Sequence, residues 1–196
     1  MSHFSVLVLT PPDLTSEEEV TRLLAPYDES GKWFREGSHW DWWVIGGRWT
    51  GHLDPSYDPY ADPANYETCQ YCEGTGVTTQ AVADKYPAYQ TNVGKPCFQC
   101  AVDHEGKPKP FPGRMLVWHL KPHGSDMGTP VADVLKRKVE TTFAVVTPDG
   151  EWHQRGEMGW FGSVRDEKHE SEWKQAWHSL LTTHKDMEAT IVDCHI

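Results

Sequence analysis

The sequence lacks any run of about 18 apolar residues, the length a membrane-spanning helix needs, and it shows no basic, apolar, small-residue leader. A cytosolic chain with no membrane span is the expectation. Also missing are G-x-x-x-x-G-K-[ST], G-x-S-x-G and H-E-x-x-H. Their absence argues against P-loop nucleotide hydrolases, nucleophile-elbow hydrolases and helix-borne zinc proteases, whose chemistry needs those spacings. Positive charge is scarce: 18 Lys and Arg stand against 29 Asp and Glu, for a formal net charge of −11. That balance disfavours loose, non-specific nucleic-acid binding, which depends on cations displacing counterions. It suits solubility or a basic partner surface. The positive charge is local, at Lys136-Arg137-Lys138 and at Lys107, Lys109 and Arg114. Solvated surface is the plain reading of both clusters.

Cysteine is also scarce, but four of the five are paired. Cys69-x-x-Cys72 and Cys97-x-x-Cys100 are separated by 24 residues. Two such pairs can offer four thiolates to one tetrahedral Zn²⁺, because a two-residue gap turns both sulfurs of a pair onto one ion. A redox dithiol is the alternative. Gly74 and Gly76 let the backbone fold tightly beside the first pair. Thiols kept for a metal fit a reducing compartment. With 196 residues the chain reads as one core domain, 1–66 and 102–196, with a zinc-binding insertion at 67–101.

Along the chain, Ser5 to Leu9 reads as a strand stopped by Thr10-Pro11-Pro12. Ser16 followed by Glu17-Glu18-Glu19 is a helix start, with Val20, Leu23 and Leu24 as the apolar stripe before Pro26. Trp40 to Ile45 reads as a strand broken at Gly46-Gly47. Ala81 to Tyr86 forms a short helix within the insertion. Met115 to Leu120 is a strand, and Val131 to Lys138 a turn or two of helix. Thr141 to Thr147, Pro148-Asp149-Gly150 and Glu151 to His153 make a hairpin, since Asp-Gly suits its tight turn. Gly156 to Gly162 is a glycine-punctuated loop. Glu170 to His184 is a helix on which Trp173, Trp177, Leu180, Leu181 and His184 recur at three and four. Thr190 to Ile196 is the last strand. This order predicts an α+β fold, a mainly antiparallel sheet with helices on one face in a ferredoxin-like arrangement, carrying the inserted four-cysteine zinc knuckle.

Three places put polar groups among apolar neighbours. His39 and Asp41 share one face of the Trp-rich strand, with Arg48 just beyond it. Glu157 lies in the Gly-rich loop. Asp193 and His195 share a row with Ile191, while Cys194 faces the other way with Val192 and looks like core. If His39, Asp41, Arg48, Glu157, Asp193 and His195 converge, they make a small metal-dependent hydrolase for a nucleotide or phosphodiester. The plainer alternative is that Arg48 pairs with Asp41 or Glu157 and that the histidines are structural. Ten tryptophans, acidic charge and no complete catalytic signature favour a zinc-stabilised protein that binds a protein partner through aromatic anchors.

Two resemblances add to this. Cys69 to Gly76 resembles the C-x-x-C-x-G-x-G half-knuckle of DnaJ-type zinc domains. This implies zinc and not chaperone activity, since the second pair lacks G-x-G and no J-domain His-Pro-Asp is present. Four segments, Leu24 to Glu29, Trp40-Asp41-Trp42-Trp43 with Gly46 to Gly51, Gly156 to Trp160 and Val192 to Ile196, resemble an uncharacterised family of actinobacteria and their phages. That resemblance implies a phage or mobile-element setting and no particular activity. By analogy, small acidic proteins of that setting are binders that interfere with a host system.

Overall fold

The computed structural model describes residues 2–29, 39–158 and 163–196. They divide into two compact units, Met1–Tyr57 with Lys121–Ile196, and Asp58–Leu120. Strand β1 (His3–Thr10), helix α1 (Glu17–Leu24) and β2 (Trp42–Ile45) open the first unit. The second holds β3 (Tyr66–Thr68), α2 (Gln80–Lys85) and β4 (Arg114–Leu116). The chain then completes the first unit. Its elements there are β5 (Thr129–Pro130), α3 (Val131–Arg137), β6 (Ala144–Val146), β7 (Trp152–Gln154), β8 (Glu157–Met158), β9 (Val164–Arg165), α4 (Glu170–Thr183) and β10 (Glu188–His195).

The first unit is organised on a six-stranded sheet of order β2-β10-β1-β6-β7, with β5 pairing β10. Four of its five strand pairings are antiparallel, and β1 with β6 is the parallel one. The α+β class and the mainly antiparallel sheet are as the sequence predicts. The placement of the helices is not. Val6 and Val8 pack with Val20, Leu23 and Leu24 of α1. Leu7 and Leu9 pack with Val131 and Val134 of α3 and with Trp173, Trp177 and Leu181 of α4. The helices therefore cover both faces, which departs from the one-faced, ferredoxin-like arrangement. The reason lies in β1: Val6-Leu7-Val8-Leu9 is apolar at every position, so both of its faces must be covered.

Local chemistry fixes the elements. Ser16 caps α1 by accepting from the Glu19 N–H at 3.2 Å, a contact of about 1 kcal/mol in typical helices. Gly150, at φ 87°, closes the β6–β7 hairpin and donates to the Thr147 carbonyl at 2.8 Å. On α4 the indole N–H of Trp173 donates to the Thr142 carbonyl at 2.7 Å. That of Trp177 donates to Thr142 Oγ1 at 3.0 Å, so both buried rings keep their polar atoms satisfied.

The cysteine-bearing unit is wider than the 67–101 stretch expected from sequence. β3 and β4 flank the cysteines and pair antiparallel, Tyr66 opposite Leu116 and Thr68 opposite Arg114. The strand expected over Met115 to Leu120 is this short β4. Residues 157–158 of the expected loop are strand: β8 pairs β9 in a two-stranded ribbon. Gly159 to Gly162 of the expected loop lie outside the described residues, Trp160 with them.

Candidate metal centre

Cys69, Cys72, Cys97 and Cys100 are all buried, and their sulfurs lie within 4.8 Å of one another. The Sγ atoms of Cys69 and Cys97 are 3.9 Å apart, those of Cys72 and Cys100 3.5 Å. Four thiolates at the usual Zn–S length stand about 3.8 Å from each other at the corners of a tetrahedron. A disulfide would need about 2.05 Å, and all five cysteines are free. The donor set and its spacing fit one tetrahedral metal ion. Among the described residues this is the one group of three or more His, Cys, Asp or Glu with that closeness.

Two small turns build the centre. In the first, the Gly74 N–H donates to the Cys69 carbonyl at 3.2 Å and the Gly76 N–H to Cys72 Sγ at 3.2 Å. Gly74 and Gly76 have φ of 83° and 75°, the left-handed region that glycine enters freely. The second turn has no such glycines after Cys100. Its sulfur takes an N–H from Gly113 at 3.3 Å instead. A side chain at Gly113 would collide with the Gly74 carbonyl, so this position needs glycine for close approach as well as for its φ of 88°. Gly113 lies outside the 67–101 insertion expected from sequence. Its only signal there is an isolated glycine beside prolines.

Burial pushes the thiols of Cys69 and Cys100 up. Burial acts the same way on Cys72, but the Gly76 N–H and neighbouring thiols outweigh it and hold that thiol below its ordinary value. N–H donors on sulfur stabilise the thiolate a metal requires, and orient it as outer-shell partners do.

The other candidates divide. His195 Nδ1 lies 2.6 Å from Asp41 Oδ1. Asp193 is buried, takes His3 Nδ1 at 2.8 Å and accepts the backbone N–H of Arg48 at 3.0 Å. The rings of His3 and His195 meet edge-on with centroids 4.9 Å apart. Asp41, Asp193, His195 and the Arg48 backbone thus gather at one end of the sheet. His3, which sequence reasoning did not single out, completes the group; it stands opposite His195 in the β1–β10 register, which no local pattern shows.

His39 and Glu157 are elsewhere. The His39 ring stacks on Trp152 and Tyr27, with centroids 4.7 and 5.6 Å away. Those two rings pack against the Phe4–Val6–Val8 face, opposite the row of Ile191, Asp193 and His195. Glu157 stands across from Arg165 in the β8–β9 ribbon. Among the described residues no hydrogen bond or ion pair links Glu157 or His39 to the other four, nor the Arg48 side chain to Asp41 or Glu157. Cys194 is core, as expected: burial, and then the Asp193 charge, push its thiol far up and away from nucleophile chemistry.

No protein-family model, no curated protein and no solved structure matches this chain. Among the described residues no helix is long and apolar enough to cross a membrane.

Proposed function

We propose that the four cysteines hold one structural Zn²⁺ and that the zinc-ordered unit Asp58–Leu120 is a recognition module for a protein partner. The sulfur spacing supports the metal, since soft thiolates in a closed tetrahedral set suit zinc and leave no open position for catalysis. Bound zinc would supply the ordering of residues 58–120. Cys69, Cys72, Cys97 and Cys100 would be its ligands, with Gly76 and Gly113 holding two of the sulfurs.

The observation that carries the partner reading is Trp118, whose side chain is 91% exposed. A tryptophan left in water is costly on its own, and it is the residue type that most often anchors an interface. It is not isolated by type: Tyr60, Val77, Val93, Phe98 and Leu116 of the same unit are also exposed. Phe98 stacks on Tyr89 at 5.1 Å, beside Tyr71 and Tyr86. The strand tryptophans contribute less. Trp40 is buried with its indole N–H on the Leu24 carbonyl at 3.2 Å, Trp43 packs half-buried against the core, and only Trp42 is exposed. The anchors of this proposal are therefore in the cysteine unit rather than in the Trp-rich strand.

The setting we propose is the cytoplasm, where thiols stay reduced for metal. The role is that of a phage or mobile-element accessory protein that binds and hinders a host component, following the four resembling segments and the acidic charge. Affinity capture from a host lysate with wild type, Trp118→Ala and Cys72→Ser tests it. A protein held by wild type and lost from both variants supports the reading. One retained equally by all three, or none retained by wild type, overturns it.

A further inference from the structure

Arg48, Trp49, His52, Tyr57, Arg137 and Lys138 line a cavity of about 460 Å³ in the sheet-based unit. Its size lies within the range of small-molecule sites. We propose that it binds a small phosphomonoester.

The cations make the case. Among the described residues, none of Arg48, Arg137 and Lys138 has a carboxylate at ion-pair distance. Ion pairs are few among the described residues of this acidic chain, as at Arg22, Lys107 and Arg155, so it is the gathering of three exposed cations on one wall that carries the argument. Two acids do line the cavity, Asp54 and Glu140, so the wall carries a modest positive excess. Asp54 is turned to its own loop, where its Oδ1 takes the Ser56 N–H at 3.1 Å and Ser56 Oγ at 2.6 Å. The Arg137 charge acts on Asp54 without forming an ion pair, and Nη1 donates to the Leu53 carbonyl at 2.8 Å, which leaves other donors of the fork for a ligand. Two arginines and a lysine in one cavity wall offer donors that suit a dianionic phosphate better than a single carboxylate.

Backbone geometry fixes where two of the cations start. Lys138 sits at φ 54°, ψ 45°, the left-handed cap that ends α3. Glycine is the usual residue there because a side chain is disfavoured. A basic residue near a helix C-terminus suits the helix dipole, which explains positive charge at Arg137 and Lys138 but not a side chain in this conformation. Nor does it explain Arg48 reaching the same cavity from a different element, the turn Gly47–Trp49. Gly47 in that turn packs so closely on Asp193 that an added Cβ would lie 2.6 Å from its Oδ2. Arg48 also donates its N–H to that same carboxylate, which fixes the backbone from which its guanidinium extends. His52 is held by the Glu140 carbonyl at 2.9 Å, and burial lowers its basicity, so at neutral pH it is a polar wall and not a fourth cation.

The test is calorimetric titration of the full zinc-loaded chain at constant ionic strength with AMP, ribose 5-phosphate, inorganic phosphate and adenosine. Saturable binding of the three phosphates at about 1 mM or tighter, and none of adenosine, is expected. Arg48→Gln and Arg137→Gln should each weaken it about tenfold, the worth of one charge-assisted contact. Lys138→Gly removes the ammonium while relieving the backbone, so it should weaken binding several-fold with Tm unchanged or raised. Lys174→Gln, an equal change of charge at an exposed position of α4, should leave binding as it was. Four outcomes overturn the proposal: no saturable phosphate binding, adenosine bound as well as AMP, wild-type affinity in the Arg48→Gln/Arg137→Gln double variant, or an equal loss in Lys174→Gln.

Discussion

In the sheet-based unit the buried side chains form two large clusters, one on each face, rich in Val, Leu, Ile and Trp. In Asp58–Leu120 the buried cluster is four cysteines and Ala101, with Tyr71 and Met115 at its margin. The first unit removes a large apolar area from water, each Leu or Ile contributing about 1.5–3 kcal/mol. The second has short strands, a six-residue helix and sulfur where a core would be. A segment of that size rarely stands on apolar burial alone and needs a staple. Zinc would be that staple, and the difference between the units is one of apolar burial against a buried set of metal-binding thiols.

The sharpest way to break the comparison is to remove the metal. Chelation, or Cys72→Ser, should unfold residues 58–120, since structural zinc is worth about 10–16 kcal/mol in small domains. Amide exchange resolved along the chain should show protection lost there and kept in β1, β10 and α4. Loss of protection everywhere would mean that the two units do not differ in this way. The reciprocal change is Trp173→Ala. It should cost the sheet unit about 3–5 kcal/mol by urea unfolding, through cavity formation, and leave zinc stoichiometry unchanged.

Smaller changes sharpen it. Asp126 is buried and accepts the N–H groups of Gly51 and His123, each at 2.7 Å. Asp126→Asn leaves only one acceptor oxygen and should cost about 1–3 kcal/mol in the sheet unit. Acid should act on that unit too. Burial lowers the basicity of His39 and His52. A histidine depressed in the folded state favours folding above its unfolded pKa of about 6.5, and that stability is lost as pH falls through the folded value. Urea midpoints should therefore fall as pH drops below neutral, and His39→Gln should flatten the slope. An unchanged slope would assign the acid sensitivity elsewhere. The smallest stability effect belongs to Trp118→Ala, within about 0.5 kcal/mol, because the ring is exposed. A large loss there would show that Trp118 is structural rather than a partner anchor.

Much of this was legible in the sequence. The Ser16 start of α1, the Asp149-Gly150 turn and the Trp173–Trp177–Leu181 stripe each follow from one local rule, and each element lies within a few residues of its expected place. The paired cysteines carried their chemistry in their spacing. What failed was non-local. The uniform apolarity of Val6 to Leu9 demands cover on both faces, against the one-faced arrangement expected from element order. The group of Asp41, Asp193 and His195 needed β2, β10 and β1 to be adjacent, and only that adjacency supplies His3. His39 shared a strand pattern with Asp41, yet aromatic stacking with Tyr27 and Trp152 took its ring to the other side. Gly113 reaches Cys100 from thirteen residues away, a distance no knuckle motif encodes.

The central claim is that the second unit is held by one metal ion. Elemental analysis of protein purified without added metal tests it most directly. The account predicts one zinc per chain, lost in Cys69→Ser and in Cys97→Ser and unaffected by Asp41→Asn or His195→Gln. Protein free of metal whose residues 58–120 remain protected would contradict it, as would a metal that survives the cysteine changes and leaves with Asp41 or His195.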